Sequence, residues 1–546
     1  MKNKKETLLI LTILITICII IFNRDKLYEA KYIEPKDTLL AITINGEIST
    51  TFPTTAAYTG TVECTTGTGK VEWNGSKWVL TTSGITKGST KCNATFITKV
   101  PTLAEAILAN NEVQTPLTTP GKEVSAHTKD DVESESTSVS STYQAYYITY
   151  GTGWTANGTK FILTGAAVTG DTYANSYSSL VGKYLPGGLY DAGSSTAGTM
   201  KTTTNLSQVY YVVSATSNSL AYKIISSTKN TTEALLASTE DDYGTSYYFR
   251  GAVKNNYVQF ANKCWRIVRI VGDGSVKLVL HNDNTSNAAN PCSSANNRTT
   301  AAFARYSGST YNSAFNTNNN DNAYVGFMYG TAGASGYASA HANTNKSTIL
   351  TNLEAWYKNN LSSYEDKLTD TIWCNDKSTF TAYTSGSTYG TGLGYGKNDT
   401  GYGARNRIYG GNSASYASPS LICPNDNNGG KLSKFTVSDT VTGNGNLTYK
   451  IGLLTADEIA FAGSIFDTYN SSAYLQENTG TNWWWSLSPN FFNGTYPGVW
   501  GVYSGTLYFS FSGVGGNGGL RPAISLISST NVTGDGTSEK PYIVEK

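Results

Sequence analysis

Trp483-Trp484-Trp485-Ser486-Leu487-Ser488-Pro489 opens, and Gly519-Leu520-Arg521-Pro522-Ala523-Ile524-Ser525-Leu526 closes, a segment otherwise rich in Asn, Gly, Ser, Tyr and Phe. A rigid aromatic start and a strand-like finish thus bracket the composition of a recognition surface. Large rings give contact area at low entropy cost, and Ser, Gly and Asn adapt their hydrogen bonding. Consecutive strand residues alternate faces, so the three tryptophans cannot all be core and at least one is left for the surface. Between the ends, 499–503, a Ser504-Gly505 turn and 506–511 read as a hairpin. Strand parity within the hairpin sets Trp500, Tyr508 and Ser510 apart from Val499, Leu507 and Phe509, and the first three, with Trp484, Asn490, Phe492, Asn493, Tyr496 and Asn517, are the expected outward ligand contacts. Aromatic faces with amide donors suit a glycan or a protein. Arg521 reads instead as a buried donor to nearby carbonyls.

Working outward, 239–546 forms the largest expected domain. Cys264-Trp265-Arg266-Ile267-Val268-Arg269-Ile270-Val271 turns at Gly272-Asp273-Gly274-Ser275 and returns through 276–280 as a second hairpin. Ile349, Leu350, Leu353, Trp356, Tyr357 and Leu361 recur at helical spacing. Thr455-Ala456-Asp457-Glu458 is a capping box for a short helix that stops at Gly463. With long polar loops at 282–325 and 377–430, this domain reads as α+β.

Nearer the N-terminus, Asn45-Gly46 and Asn74-Gly75 lie between alternating apolar residues, a strong hairpin signal. They place a small β-sandwich-like module at 39–100. A short helix and a Ser/Thr-rich linker follow at 101–142, then a second β module at 143–227 and a bridge at 228–238. Lys2, Lys4 and Lys5 precede an apolar run at 8–22, the pattern of an export signal. With no convincing cleavage site, 1–23 reads as an uncleaved single-pass anchor in a bacterial cell membrane. Residues 24–38 read as a tether, with 24–546 outside; a cleaved signal is the alternative.

The chain has 546 residues, a net charge of +1 and only 14% charged residues against 12% aromatic. That balance argues for β-rich domains over disorder, and scattered Lys and Arg leave no footprint for nucleic acid. Outside the apolar run the cysteines number six, an even count that suits disulfides in an exported protein. Nearest-neighbour pairing gives Cys64–Cys92, Cys264–Cys292 and Cys374–Cys423, with free thiols as the alternative. His281 and His341 read as loop or surface residues, and no Gly-x-Ser-x-Gly elbow supports a catalytic triad. Asn/Asp-rich loops at 282–284 and 318–322 have oxygen ligands for calcium but no ordered alternation of acids, so no cofactor is expected.

Several motifs occur in a telling order: Tyr247-Tyr248-Phe249-Arg250-Gly251, Cys264-Trp265-Arg266-Ile267, Trp373-Cys374-Asn375-Asp376, Gly452-Leu453-Leu454-Thr455-Ala456-Asp457-Glu458, Trp484-Trp485-Ser486-Leu487-Ser488-Pro489 and Gly519-Leu520-Arg521-Pro522-Ala523. In this order 239–546 resembles an uncharacterised family of Gram-positive bacterial surface proteins. Their C-terminal domain has the C-type-lectin-like fold of formylglycine-generating enzymes. The ending is also similar to variable regions of diversity-generating retroelement proteins. The resemblance implies that fold and a display surface. It does not carry over a catalytic cysteine pair, since no two cysteines lie close in sequence within the domain. The expected architecture is therefore multidomain: a membrane anchor, two small all-β modules and a C-terminal α+β C-type-lectin-like domain. The expected function is adhesin-like binding of a glycan or protein without catalysis. An extracellular polysaccharide hydrolase and a structural envelope protein remain the alternatives.

Overall fold

The computed structural model describes residues 39–116 and 119–121, strands lying between 139 and 226, and 234–544 apart from 412–415, 427, 468–469, 471–472 and 510–512. The chain divides into two compact units after Val100.

In the first unit, β1 (Leu39–Ile44) and β2 (Glu47–Ser49) are joined by Asn45 and Gly46, whose φ angles of 50° and 85° suit a tight hairpin turn. β3 (Tyr58–Cys64), β4 (Thr68–Trp73), β5 (Trp78–Ser83) and β6 (Lys91–Thr98) follow. One sheet runs in the order β2-β1-β6-β3, with β1 parallel to β6 and β3 antiparallel to it. The β4–β5 hairpin contributes Val71 and Trp78 to a small core with Leu40, Ile42, Ala94 and Phe96. Trp78 meets Phe96 edge-to-face at 5.1 Å. Cys64 and Cys92 sit directly opposite each other on β3 and β6 and form a disulfide. A module this small has a thin core, and the covalent tie offsets that.

The second unit begins with a helix, Leu103–Asn110, started by a complete Thr102/Glu105 capping box. Its Leu103, Ala106 and Ile107 are part of the unit's main core. Between 139 and 226, the strands 139–143, 184–186, 208–215 and 220–226 make a four-stranded antiparallel sheet. Beyond 234 two larger sheets dominate. One has eight strands and includes Ala234–Asp241, Gly244–Gly251, Lys263–Ile270, Val276–Asn282 and Ala523–Leu526. The other has seven strands centred on Trp484–Phe492, which pairs with Thr400–Tyr402 and Pro497–Tyr503. A shared core contains Trp265, Trp356, Trp373, Trp484, Trp485 and Trp500, all buried. The Thr348–Asn360 helix supplies Ile349, Leu350, Leu353, Trp356 and Tyr357, the positions its periodicity indicates.

An ionic cluster is buried beside this core. Glu458, in the capping box with Thr455, accepts from Arg269 Nε at 3.0 Å and Lys277 Nζ at 2.7 Å. Arg269 also pairs with Asp241, and Arg407 bridges Asp457 and Asp376, each at 2.7 Å. The Cys264–Cys292 and Cys374–Cys423 disulfides complete the three nearest-neighbour pairs.

These features correct the expected architecture. The described residues are mostly β-sheet with few, short helices, so the C-terminal region is not an α+β domain. The anchor expected at 8–22 falls outside the described residues, and among those described no helix is long and apolar enough to cross a membrane. A single-pass membrane location is accordingly not supported. The three disulfides are compatible with an extracellular protein.

Candidate functional site

The central strand Trp484–Phe492 decides which side chains reach the surface of the second sheet. Its pairing with Pro497–Tyr503 shifts register twice, between Trp485 and Pro489 and again between Pro489 and Phe491. A proline has no N–H for the ladder, so bulges are the natural place for it in a central strand. The first shift inserts two residues and keeps parity, whereas the second inserts one and reverses it. Four of the residues expected to face outward pack inward: Trp484, ahead of both shifts, and Asn490, Phe492 and Trp500 are all buried. The Trp484 ring lies 4.8 Å from the Arg521 guanidinium, which donates to the Leu280 and Leu475 carbonyls. Trp500 stands opposite Phe509, out of step with Tyr508, and packs edge-on against Phe466 at 6.0 Å. Phe492 stands opposite the buried Thr400.

Asn493 and Asn517 are exposed and Tyr496 is half-buried. Asn493 accepts from the Thr495 and Tyr496 amides, a turn-forming role. Tyr508 lies in the Thr506–Phe509 strand, its side chain undescribed, and Ser510 lies outside the described residues.

What the shifted register turns outward is Phe491. Across four strands, Phe380 stands opposite Gly401, Gly401 opposite Phe491, and Phe491 opposite Gly498. Directly opposed residues share a face, so this row alternates ring, glycine, ring, glycine. The glycines are what let the rings lie down on the sheet. A Cβ on Gly401 would come within 2.5 Å of the Phe380 ring and 2.8 Å of Tyr389, and one on Gly498 within 2.5 Å of Phe491. Phe380, Tyr389 and Phe491 are half-buried, which leaves ring surface open to solvent.

Arg405 rises into this row from the short helix Gly403–Tyr409. Its guanidinium centre lies 5.0 Å from the Tyr389 ring, 5.2 Å from Tyr409, 5.5 Å from Phe491 and 5.9 Å from Tyr383. Such distances are those of cation–π contact. Its Nε donates to the Tyr383 hydroxyl and its Nη1 to Asn490 Oδ1, both at 2.7 Å. Asn490 is the extra residue of the second bulge, and the bulge aims its amide at Arg405. Its Nδ2 is buried and has no hydrogen-bond partner. Burial pushes the Tyr389 phenol up to about 12 against the opposing pull of Arg405, so it stays neutral and able to donate. Tyr383 is raised for the same reason.

Sequence reasoning missed Phe380, Tyr383, Tyr389, Arg405 and Tyr409 because they fall in the polar stretch read as a loop. The density of tyrosine there was the available signal. His281 and His341, read as surface residues, are both fully buried; desolvation holds His341 down to about 3. Among the described residues no group of three or more His, Cys, Asp or Glu side chains can hold a metal ion. Asp283, in one of the two calcium-candidate loops, is instead paired with Lys263 at 2.9 Å.

Comparisons with protein-family models, curated proteins and solved structures find no match. The functional reading therefore rests on the residues of this chain.

Proposed function

We propose that the protein is an extracellular glycan-binding protein and that the ring-and-glycine row around Arg405 is its binding face. The observation that carries the proposal is Phe380–Gly401–Phe491–Gly498 with Arg405 and Asn490 at its edge. A pyranose ring has an apolar face of axial C–H groups and a rim of hydroxyls. Half-exposed aromatic rings match the face, while the Arg405 guanidinium and the neutral Tyr389 phenol match the rim. Asn490, buried beneath this face, acts by holding the Arg405 guanidinium through its Oδ1.

The test is a glycan screen of the full chain beside Phe491→Ala and Tyr389→Ala, with Val441→Ser as a control at a position 81% exposed. Each ring removed is expected to weaken binding about tenfold, roughly 1.4 kcal/mol, while the control binds as wild type. Equal binding by all four proteins removes the proposal. Binding of a protein but no glycan would assign the same face to a different partner.

A further inference from the structure

Away from the aromatic face, Lys377 and Asn343 meet in the interior. Lys377 is fully buried and Asn343 is 5% exposed. Lys377 Nζ lies 2.5 Å from Asn343 Oδ1 and 5.3 Å from the centre of the Phe435 ring. A buried ammonium normally has a carboxylate partner; among the described residues no ion pair holds Lys377. Burial alone lowers its amine to about 7, so a neutral amine with a free lone pair is abundant at neutral pH. A desolvated lysine of this kind is an activated nucleophile.

The surroundings hold the pair in place. The Lys377 amide donates to Ser433 Oγ at 2.9 Å, and its carbonyl accepts from the Tyr337 hydroxyl at 2.7 Å. Asn343 Nδ2 donates to the Leu432 carbonyl at 2.8 Å. Two residues before Asn343, His341 Nε2 lies 2.8 Å from the Gly394 carbonyl. A carbonyl can only accept, so Nε2 carries the proton and the lone pair is on Nδ1. That Nδ1 is buried without a partner, and Lys377 acts electrostatically on the ring.

We infer that Lys377 and Asn343 become joined by an intramolecular isopeptide bond. The lone pair of Lys377 Nζ attacks Asn343 Cγ and forms a C–N bond. A proton leaves Nζ and is delivered to Nδ2. The Cγ–Nδ2 bond then breaks and ammonia departs. The reaction exchanges one amide for another and needs no oxidant, reductant or other reactant. Exclusion of water protects it from competing hydrolysis, and escape of ammonia to solvent makes it one-way. The product ties the turn after helix Tyr337–Ala340 to the chain that follows Trp373–Cys374. The inference is independent of glycan binding.

Peptide mass mapping of the full chain tests it. Purified wild-type protein is held folded at neutral pH, then reduced, denatured and digested with trypsin. A branched peptide is expected that contains both Asn343 and Lys377, lacks one ammonia and is uncut after Lys377. Asn343→Ala restores cleavage after Lys377, which shows that the block comes from acylation by that residue. Linear peptides of full mass from the folded wild type, cut after Lys377, overturn the inference.

Discussion

Replacing Glu458 by Gln keeps the shape of the side chain and removes one charge from the ionic cluster. In the wild type its carboxylate is held down to about 2: burial raises it, but Lys277, Arg269 and the Thr455 amide lower it by more. A carboxylate depressed in the folded state stabilises the fold above its unfolded value. That contribution is lost as pH falls from about 4.5 through 2. The difference of about 2.5 units corresponds to roughly 3 kcal/mol. Lys277 is lowered, because burial of its amine outweighs the attraction of Glu458, so part of this gain offsets the cost of burying that cation. At neutral pH Glu458→Gln is therefore expected to destabilise the unit by about 3 kcal/mol, since Lys277 loses its counter-ion and Arg269 one of two. Urea titrations followed by tryptophan fluorescence report on this unit through its buried tryptophans. The gap between wild type and variant should narrow as pH is lowered from about 6 to about 3. A variant within about 0.5 kcal/mol of wild type at neutral pH, or a gap independent of pH, would refute the reasoning.

Gly401→Ala forces a methyl into the Phe380 and Tyr389 rings and is expected to cost about 1–3 kcal/mol in urea titrations, with loss of glycan binding. Trp500→Ala and Phe491→Ala separate inward from outward. The first empties a fully buried site and should cost about 3–5 kcal/mol, whereas the second should weaken binding with a much smaller change in melting temperature. Replacing Cys374 and Cys423 by Ser opens a loop spanning 49 positions and should cost about 4 kcal/mol, read as a lower denaturant midpoint than that of reductant-free wild type.

Local signals were the legible part of this chain. The Asn45-Gly46 turn, the Thr455/Glu458 capping box and the helical face from Ile349 to Tyr357 each depend on residues a few positions apart. Arg521 as a buried donor was equally readable. The face of the final hairpin was not. Parity holds only within an unbroken ladder, and the one-residue shift between Pro489 and Phe491 exchanges inside for outside between Trp485 and Phe491. Nor could the row of rings be found, since Phe380, Gly401 and Phe491 come together only through pairing between distant strands. The Lys377–Asn343 contact is of the same kind, across 34 positions.

The first unit has a further consequence in mechanics. The chain enters through β1 and leaves through β6, and these two strands lie side by side and parallel over six residue pairs, from Leu39–Lys91 to Ile44–Phe96. Tension applied at the two ends therefore pulls the strands past each other lengthwise, loading the whole ladder in shear so that its bonds must rupture together. Beyond that barrier, the Cys64–Cys92 link keeps the intervening loop from extending. A segment built this way resists being pulled out from its ends until the whole ladder gives way.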